Sequence, residues 1–405
     1  MILTSPQFRT IVAILCSLPL APAARAAADG PNVVHVRDDD SFRRAVAGAK
    51  PGSRIVLAAG TYRPGVSAKG LTGTADAPIV IEGADGKNPP VFEGGPVGLH
   101  LSDCAHLTLR DILVRGQSGN GVNIDDGGTF DTPSHHVTLE RVRVEDVGPE
   151  GNRDAIKLSG VDDLRVIDCT VEGWGGQGID MVGCHRVRVE GCTFRGKSGF
   201  GQQIAVQAKG GSSDVTVRRC TFLDVGQRGV NLGGSTNPKL FRPPGARYEA
   251  KDVTVEGCRF VGGMAPVAFV GVDGAAVRFN TIYRPKKWVV RILQENTADE
   301  MVPSRGGRFE RNLVVYGSAA ARSAVNVGPK TEPAGFVFRE NLWYCEDRPD
   351  RSRPQTPAAE QGGVYGVDPQ VRLSEQRLPS PPAAAAARGF GAGALPEAGA
   401  RSVPR

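Results

Sequence analysis

Lys157, Asp180, Asn231 and Arg291 each stand as the middle residue of an apolar-X-apolar triplet, and Gln203, Gln207, Lys209 and Arg228 crowd the stretch between the second and third of them. That set of side chains has a definite chemical repertoire. A lysine placed beside other cations serves as a base once its proton is displaced, while arginines and amides hold negative charge as it develops. Arg242, in Phe241-Arg242-Pro243-Pro244, and Trp288, in the segment Arg284 to Glu295, sit on longer insertions suited to wall a site. Each residue also has a plainer use. Lys157 and Asp180 make an ordinary surface ion pair, Lys209 a solvated turn lysine before Gly210-Gly211, Arg228 a donor to carbonyls at a bend, and Trp288 a packing residue under its own loop.

What must position these groups is a repeat. One template recurs along the chain: an apolar residue, then at +3 a Cys, Asn or aliphatic residue, then at +5 another apolar residue. Its middle column reads Ile112, Val142, Cys169, Cys192, Cys220, Cys258, Asn280, Asn312, Asn341, flanked by Leu109 to Phe338 on one side and Val114 to Trp343 on the other. Successive members are separated by as few as 22 residues (Val255 to Val277) and as many as 38 (Val217 to Val255). After a Gly-rich bend each repeat carries one of the triplets: Val122-Asn123-Ile124, Ile156-Lys157-Leu158, Ile179-Asp180-Met181, Ile204-Ala205-Val206, Val230-Asn231-Leu232, Val267-Ala268-Phe269, Val290-Arg291-Ile292 and Val325-Asn326-Val327. Alternation puts the flanking apolar residues inside and the middle one outside. Short strands repeating without helices between them specify an all-β, parallel β-solenoid whose rungs bury their faces against their neighbours. The outward row is then Asn123, Lys157, Asp180, Ala205, Asn231, Ala268, Arg291, Asn326, with a site centred at Ala205, where a small side chain leaves the floor shallow.

Composition agrees. The 405 residues include 53 Gly and 29 Pro, with 40% hydrophobic and 6% aromatic residues and no Gly-X-Y period, which excludes both a disordered chain and collagen. A net charge of +6 with 23% charged residues lacks the dense basic run of a nucleic-acid arm. Residues 1–28 read as an export signal, with an apolar core from Ile11 to Leu20 too short to span a membrane. Their loss removes Arg9 and Arg25 and takes the charge from +6 to +4, leaving a secreted or periplasmic protein. Export would permit disulfides, yet Cys169, Cys192, Cys220 and Cys258 share one inward column that Asn280, Asn312 and Asn341 continue, so an internal ladder is predicted instead. Ser41 to Ala49 predicts a short helix capping the first coil within an N-terminal region 29–100. Repeats fill 101–345, a closing segment 346–368, and 369–405, rich in Pro, Ala and Arg, reads as a disordered tail.

Ser41-Phe42, Ala49-Lys50-Pro51-Gly52, Ile55, Gly60-Thr61-Tyr62, Gly73-Thr74 and Pro78-Ile79-Val80-Ile81 resemble the N-terminal region of chondroitinase B and the alginate lyases, right-handed parallel β-helix enzymes of pectin-lyase-like fold. The resemblance implies a right-handed coil, the hand that crossover sterics also favour, and a lyase that cleaves an anionic, uronate-containing polysaccharide by β-elimination. On that reading Lys209 is the base, with Lys157 as the substitute. Arg228 and Arg291 stabilise the carboxylate or enolate, and Gln203, Gln207, Asn231, Asp180, Arg242 and Trp288 bind the sugar. The chain departs from the family at two points: Gln207 stands at the position of the family lysine, two residues before Lys209, and Gly233 at that of the family arginine. Two other functions fit the same coil. Asp125, Asp154 and Asp180 offer the carboxylates of an inverting glycoside hydrolase, and a glycan-binding or envelope solenoid needs no catalyst. Asp125, Asp126 and Asp131 have the oxygens of a Ca²⁺ site and equally the composition of a turn. A monomer with no nucleic-acid partner and no membrane span is expected.

Overall fold

The computed structural model describes residues 32–129, 131–319 and 323–397. The export signal read in residues 1–28 and the end of the tail, 398–405, lie outside the described residues. Three sheets, of 13, 10 and 12 strands, run side by side along the described chain, and strands of one coil enter them in turn. In one coil Arg165–Ile167 joins the first sheet, Thr170–Trp174 the twelve-stranded one and Gln177–Val182 the ten-stranded one, each paired in parallel with its counterparts on the coils before and after. The chain is a parallel β-helix. Among the described residues no helix is long and apolar enough to cross a membrane.

The predicted ladder marks the first corner of each coil. The residue before it is left-handed, with φ of 56° at Asp111, 50° at Arg141, 52° at Asp168, 53° at Arg219 and 64° at Gly257. A single such residue turns the strand sharply, at a conformational cost of roughly 1–2 kcal/mol where it is not glycine. The ladder residue then drops inside. Cys192 and Cys220 donate their thiols to carbonyls of Val166 and Val189 one coil below, at 3.4 and 3.5 Å. Asn312 Oδ1 accepts from the Asn280 backbone N–H at 2.9 Å and its amide at 3.0 Å, while its own Nδ2 donates to Val277 O at 3.0 Å. Asn341 repeats the pattern beneath Asn312. All seven described cysteines are buried and free. Next to this ladder Phe194, Phe222 and Phe260 stack face to face, with centroids 5.1 and 4.5 Å apart.

Both ends are covered. The capping helix is Asp39–Ala47, two residues earlier than the predicted Ser41 to Ala49, because Asp38 is its N-cap and accepts from the Ser41 N–H at 2.7 Å. It buries Phe42 against Tyr62 and Phe92. At the other end Glu360 closes the amide ladder, accepting from Asn341 Nδ2 and Trp343 Nε1, both at 2.8 Å.

The tail corrects the reading of disorder. Residues 369–397 fold back over the twelve-stranded sheet. Val371 and Leu373 pack on Leu223, Val261, Tyr283 and Val315, Ala387 is fully buried beside Leu313 and Leu342, and Arg377 pairs with Asp224. The reason lies in the sheet. Its outward column is charged in early coils, at Arg115, Glu145, Glu172 and Arg195, and becomes apolar from Leu223 onward. That apolar column supplies the burial which the tail's own composition does not advertise.

Replacing Asn312 with Leu leaves the Asn280 N–H buried without a partner and removes the side-chain donor to the Val277 carbonyl. At about 1–3 kcal/mol for the stranded group, the variant is expected to lose at least about 1 kcal/mol in urea denaturation, whereas Cys220→Ala, which strands nothing, loses less.

Candidate functional site

The outer face of the ten-stranded sheet carries the predicted row, with one correction. Pairing runs His100, Asn123, Lys157, Asp180, Gln207, Asn231, Ala268, Arg291, Asn326. Gln207, not Ala205, follows Asp180. A shift of two residues keeps the face and changes the column. Ala205 is fully buried at the start of its strand, and its carbonyl lies so close to Gly178 that a Cβ there would come within 2.6 Å of it. It belongs to the small-residue corner, so the floor is not shallow at that point.

Asp180 is the centre of the site. It has no exposure, yet both of its oxygens meet a cation: Oδ2 binds Lys157 Nζ in a short contact, and Oδ1 lies 3.1 Å from Lys209 Nζ. Lys209 also donates to Gln207 Oε1 at 3.2 Å. Lys157 reaches Asp154 Oδ2 at 3.4 Å. Burial alone would lower the Lys157 pKa, but the charges of Asp180 and Asp154 outweigh it and hold the value above the usual lysine range, so Lys157 is a fixed cation. Asp154 moves the other way: burial, then the charge of Asp180, pushes its carboxyl up.

Gln207 and Asn231 are buried and already committed. Both amides donate to the Gly233 carbonyl, at 3.2 and 3.0 Å, and Asn231 Oδ1 accepts from Arg228 Nη1 at 3.0 Å. Their amides are thus engaged with the coil and with Arg228, as the Asp180 carboxylate is with the two lysines. Gly233 has φ 108°, and a Cβ there would lie 1.8 Å from the Val270 carbonyl, so no arginine fits that position. Arg228 reaches the row from the start of its own strand and is braced by Glu295. Arg291, two coils beyond Asn231, donates to Asn326 Oδ1 at 3.1 Å. Burial, then the charge of Arg228, lowers its pKa, which marks the two guanidiniums as electrostatic neighbours. Trp288 does not offer a bare ring, since Lys287 and Arg291 stand 4.2 and 4.1 Å from its centroid.

Two hollows flank the lysines. One, of about 710 Å³, is lined by His100, Asp125, Lys157, Lys239, Leu240 and Arg242. The other, of about 250 Å³, is lined by Gln203, Gln207, Lys209, Arg228, Ser235 and Glu295. Lys157 faces the first and Lys209 the second, with Asp180 beneath both. Arg242 is buried and paired with Asp162 at 2.7 Å and with the Gly183 carbonyl at 2.9 Å. It fastens the long insertion to the coil and also lines the larger hollow. Glu249, fully buried, ties the Gly210 N–H, Thr236 and Asn296 together behind Lys209.

Sequence reasoning missed His100, whose Nε2 is 2.6 Å from Asp125 Oδ2. Its triplet-like Leu99-His100-Leu101 was the available signal. Burial opposes ionisation of Asp125, but hydrogen bonds from Ser102, His100 and Gly127 win and hold its pKa low. Those contacts, with Gly128 donating to Asp126 at 3.0 Å, are turn chemistry. Asp125, Asp126 and Asp131 do not assemble as a cation site.

Residues 97–243 match the family model described as a right handed beta helix region, which gives the coil its hand. A search of curated proteins finds no match. Among solved structures, the Dettilon tailspike protein aligns with a TM-score of 0.52 at 12% identity, over 82% of this chain and 68% of that one. An alginate lyase from Paenibacillus sp. str. FPU-7 gives 0.48 at 18% identity, over 74% and 96%. A lacto-N-biosidase from Eubacterium ramulus gives 0.48 at 14%, over 82% and 68%. At these identities the likeness is one of fold.

Burial raises the Asp162 pKa, but hydrogen bonding to and the charge of Arg242 outweigh it and leave the carboxyl below its ordinary value. The tie is therefore complete above the unfolded carboxylate range and is lost as pH falls through the depressed folded value. Asp162→Asn mimics that loss at neutral pH. Tryptic cleavage at Lys239 is expected to quicken roughly tenfold or more, with the far-ultraviolet spectrum unchanged.

Proposed function

We propose that this right-handed β-helix protein is exported through its first 28 residues and acts as a polysaccharide lyase on an anionic, uronate-containing glycan. The observation that carries the reading is one buried carboxylate, Asp180, shared by two lysines that each line a separate hollow. The cluster sets Lys157 and Lys209 against Asp180 and Asp154, and Arg228 and Arg291 add positive charge further along the row. An anionic chain lying across the coils complements this charge.

β-Elimination removes the proton beside the uronate carboxylate, delocalises the charge onto that carboxylate and releases the glycosidic oxygen. Lys157 stays protonated and suits charge stabilisation. The role of base falls to Lys209, whose ammonium lies 3.1 Å from Asp180 Oδ1 and 3.2 Å from Gln207 Oε1 and must first give up a proton. Arg228, oriented by Asn231 and Glu295, suits the substrate carboxylate. A second reading, inverting hydrolysis, is favoured by the neighbouring carboxyls of Asp154 and Asp180, the first pushed up by burial and then by the charge of the second. Against it, both are almost wholly buried.

Acidic glycans incubated with the protein are expected to yield unsaturated uronate, read by its ultraviolet absorbance, faster as pH rises. Lys209→Ala is expected to lose about 10²–10⁴-fold in kcat with binding retained, whereas Arg228→Ala mainly raises KM. New reducing ends without the chromophore would favour hydrolysis. Binding without either product would leave a glycan-binding solenoid.

A further inference from the structure

Away from the groove, on the thirteen-stranded sheet, three of the six histidines of the chain gather on two neighbouring coils. His106 lies on strand Ala105–Arg110, and His135 and His136 on Ser134–Glu140, with His135 paired to Ala105 in register. His106 and His136 take the same left-handed backbone, φ 48° and 53°, and their rings stack at 4.4 Å. His135 Nδ1 and His136 Nδ1 are 2.9 Å apart. One nitrogen from each ring falls within 4.8 Å of the other two, and among the described residues this is the group of three or more ligating side chains so arranged.

We propose that His106, His135 and His136 form a binding site for a divalent transition metal of the zinc class. A tetrahedral ion with bonds of about 2.0–2.1 Å to nitrogen needs its ligand atoms roughly 3.3 Å apart, which small rotations of these half-exposed rings supply. Imidazole donors select Zn²⁺, Ni²⁺ or Cu²⁺. Ca²⁺ and Mg²⁺ take oxygen. Asp163 Oδ2, 4.0 Å from His136 Nδ1 and braced by Arg186, is placed as the outer carboxylate that commonly orients a ligating ring.

The site would clamp one coil to the next where the turn containing Asp126, Gly127 and Gly128, which lines the larger hollow, rejoins the sheet. Ser134, adjoining His135, already ties that turn by donating to the Asp125 carbonyl at 2.7 Å.

The test is calorimetric titration of the full chain with Zn²⁺, paired with thermal melting. One equivalent per chain and a raised melting temperature are expected. His106→Asn and His136→Asn keep a residue at ease in the left-handed backbone while removing the ring, and His135→Gln removes the third. Each is expected to weaken Zn²⁺ binding at least roughly tenfold and to abolish the metal-induced rise above its own metal-free melting temperature. Absence of saturable binding by the parent chain, or unchanged affinity in the His106→Asn/His136→Asn double variant, overturns the proposal.

Discussion

Parallel stacking sets the terms for everything in this molecule. Each side chain has its counterpart on the next coil about 4.8 Å away, so whatever one coil places in a column the following coil must tolerate at contact distance. Inside, the answer is repetition. Thiols follow thiols, amides follow amides, and phenyl rings lie flat on one another at Phe194, Phe222 and Phe260. Amides are the demanding case, because Asn280, Asn312 and Asn341 each complete the hydrogen bonds of the coil beside them.

Outside, repetition of charge is costly, and the groove avoids it by interleaving. Asp180 separates Lys157 from Lys209, and Gln207 and Asn231 spend their amides on the Gly233 carbonyl. The polar residues with the least exposure thus do the positioning, while Lys157, Lys209 and Arg228 line the hollows beside them. An arrangement of this kind is preorganised by its floor, where Asp180, Gln207 and Asn231 hold their neighbours in place.

The coil was legible because burial enforces it: the ladder column and the alternating triplets needed no knowledge of loops. The groove was partly legible. Gln203, Gln207, Lys209, Arg228 and Lys157 do line adjoining hollows, yet the Gly-rich approach to Ile204 concealed a two-residue slip that no apolar pattern penalises, since Ala205 and Gln207 share a parity. His100 went unread because its triplet precedes the first member of the template. The tail failed for a different reason. Its composition is that of a disordered segment, and only the outward column of a distant sheet, turning apolar at Leu223, announces a partner for it. Likewise His106 and His136 lie as far apart in sequence as Leu109 and Leu139, one coil, a coincidence visible only to a reader counting in coils.

That returning segment changes the statistics of the whole. A stack whose units touch only their neighbours behaves as a one-dimensional chain and unravels from its ends, rung by rung. Here Ala387 sits against Leu342, the Gly391 amide reaches Arg311, and Leu395 lies over Gly257, so one strip of polypeptide rivets several rungs at once. Fraying of the last coil is then no longer a local event: the C-terminal third gains or loses its order as a block, and the zipper acquires a latch.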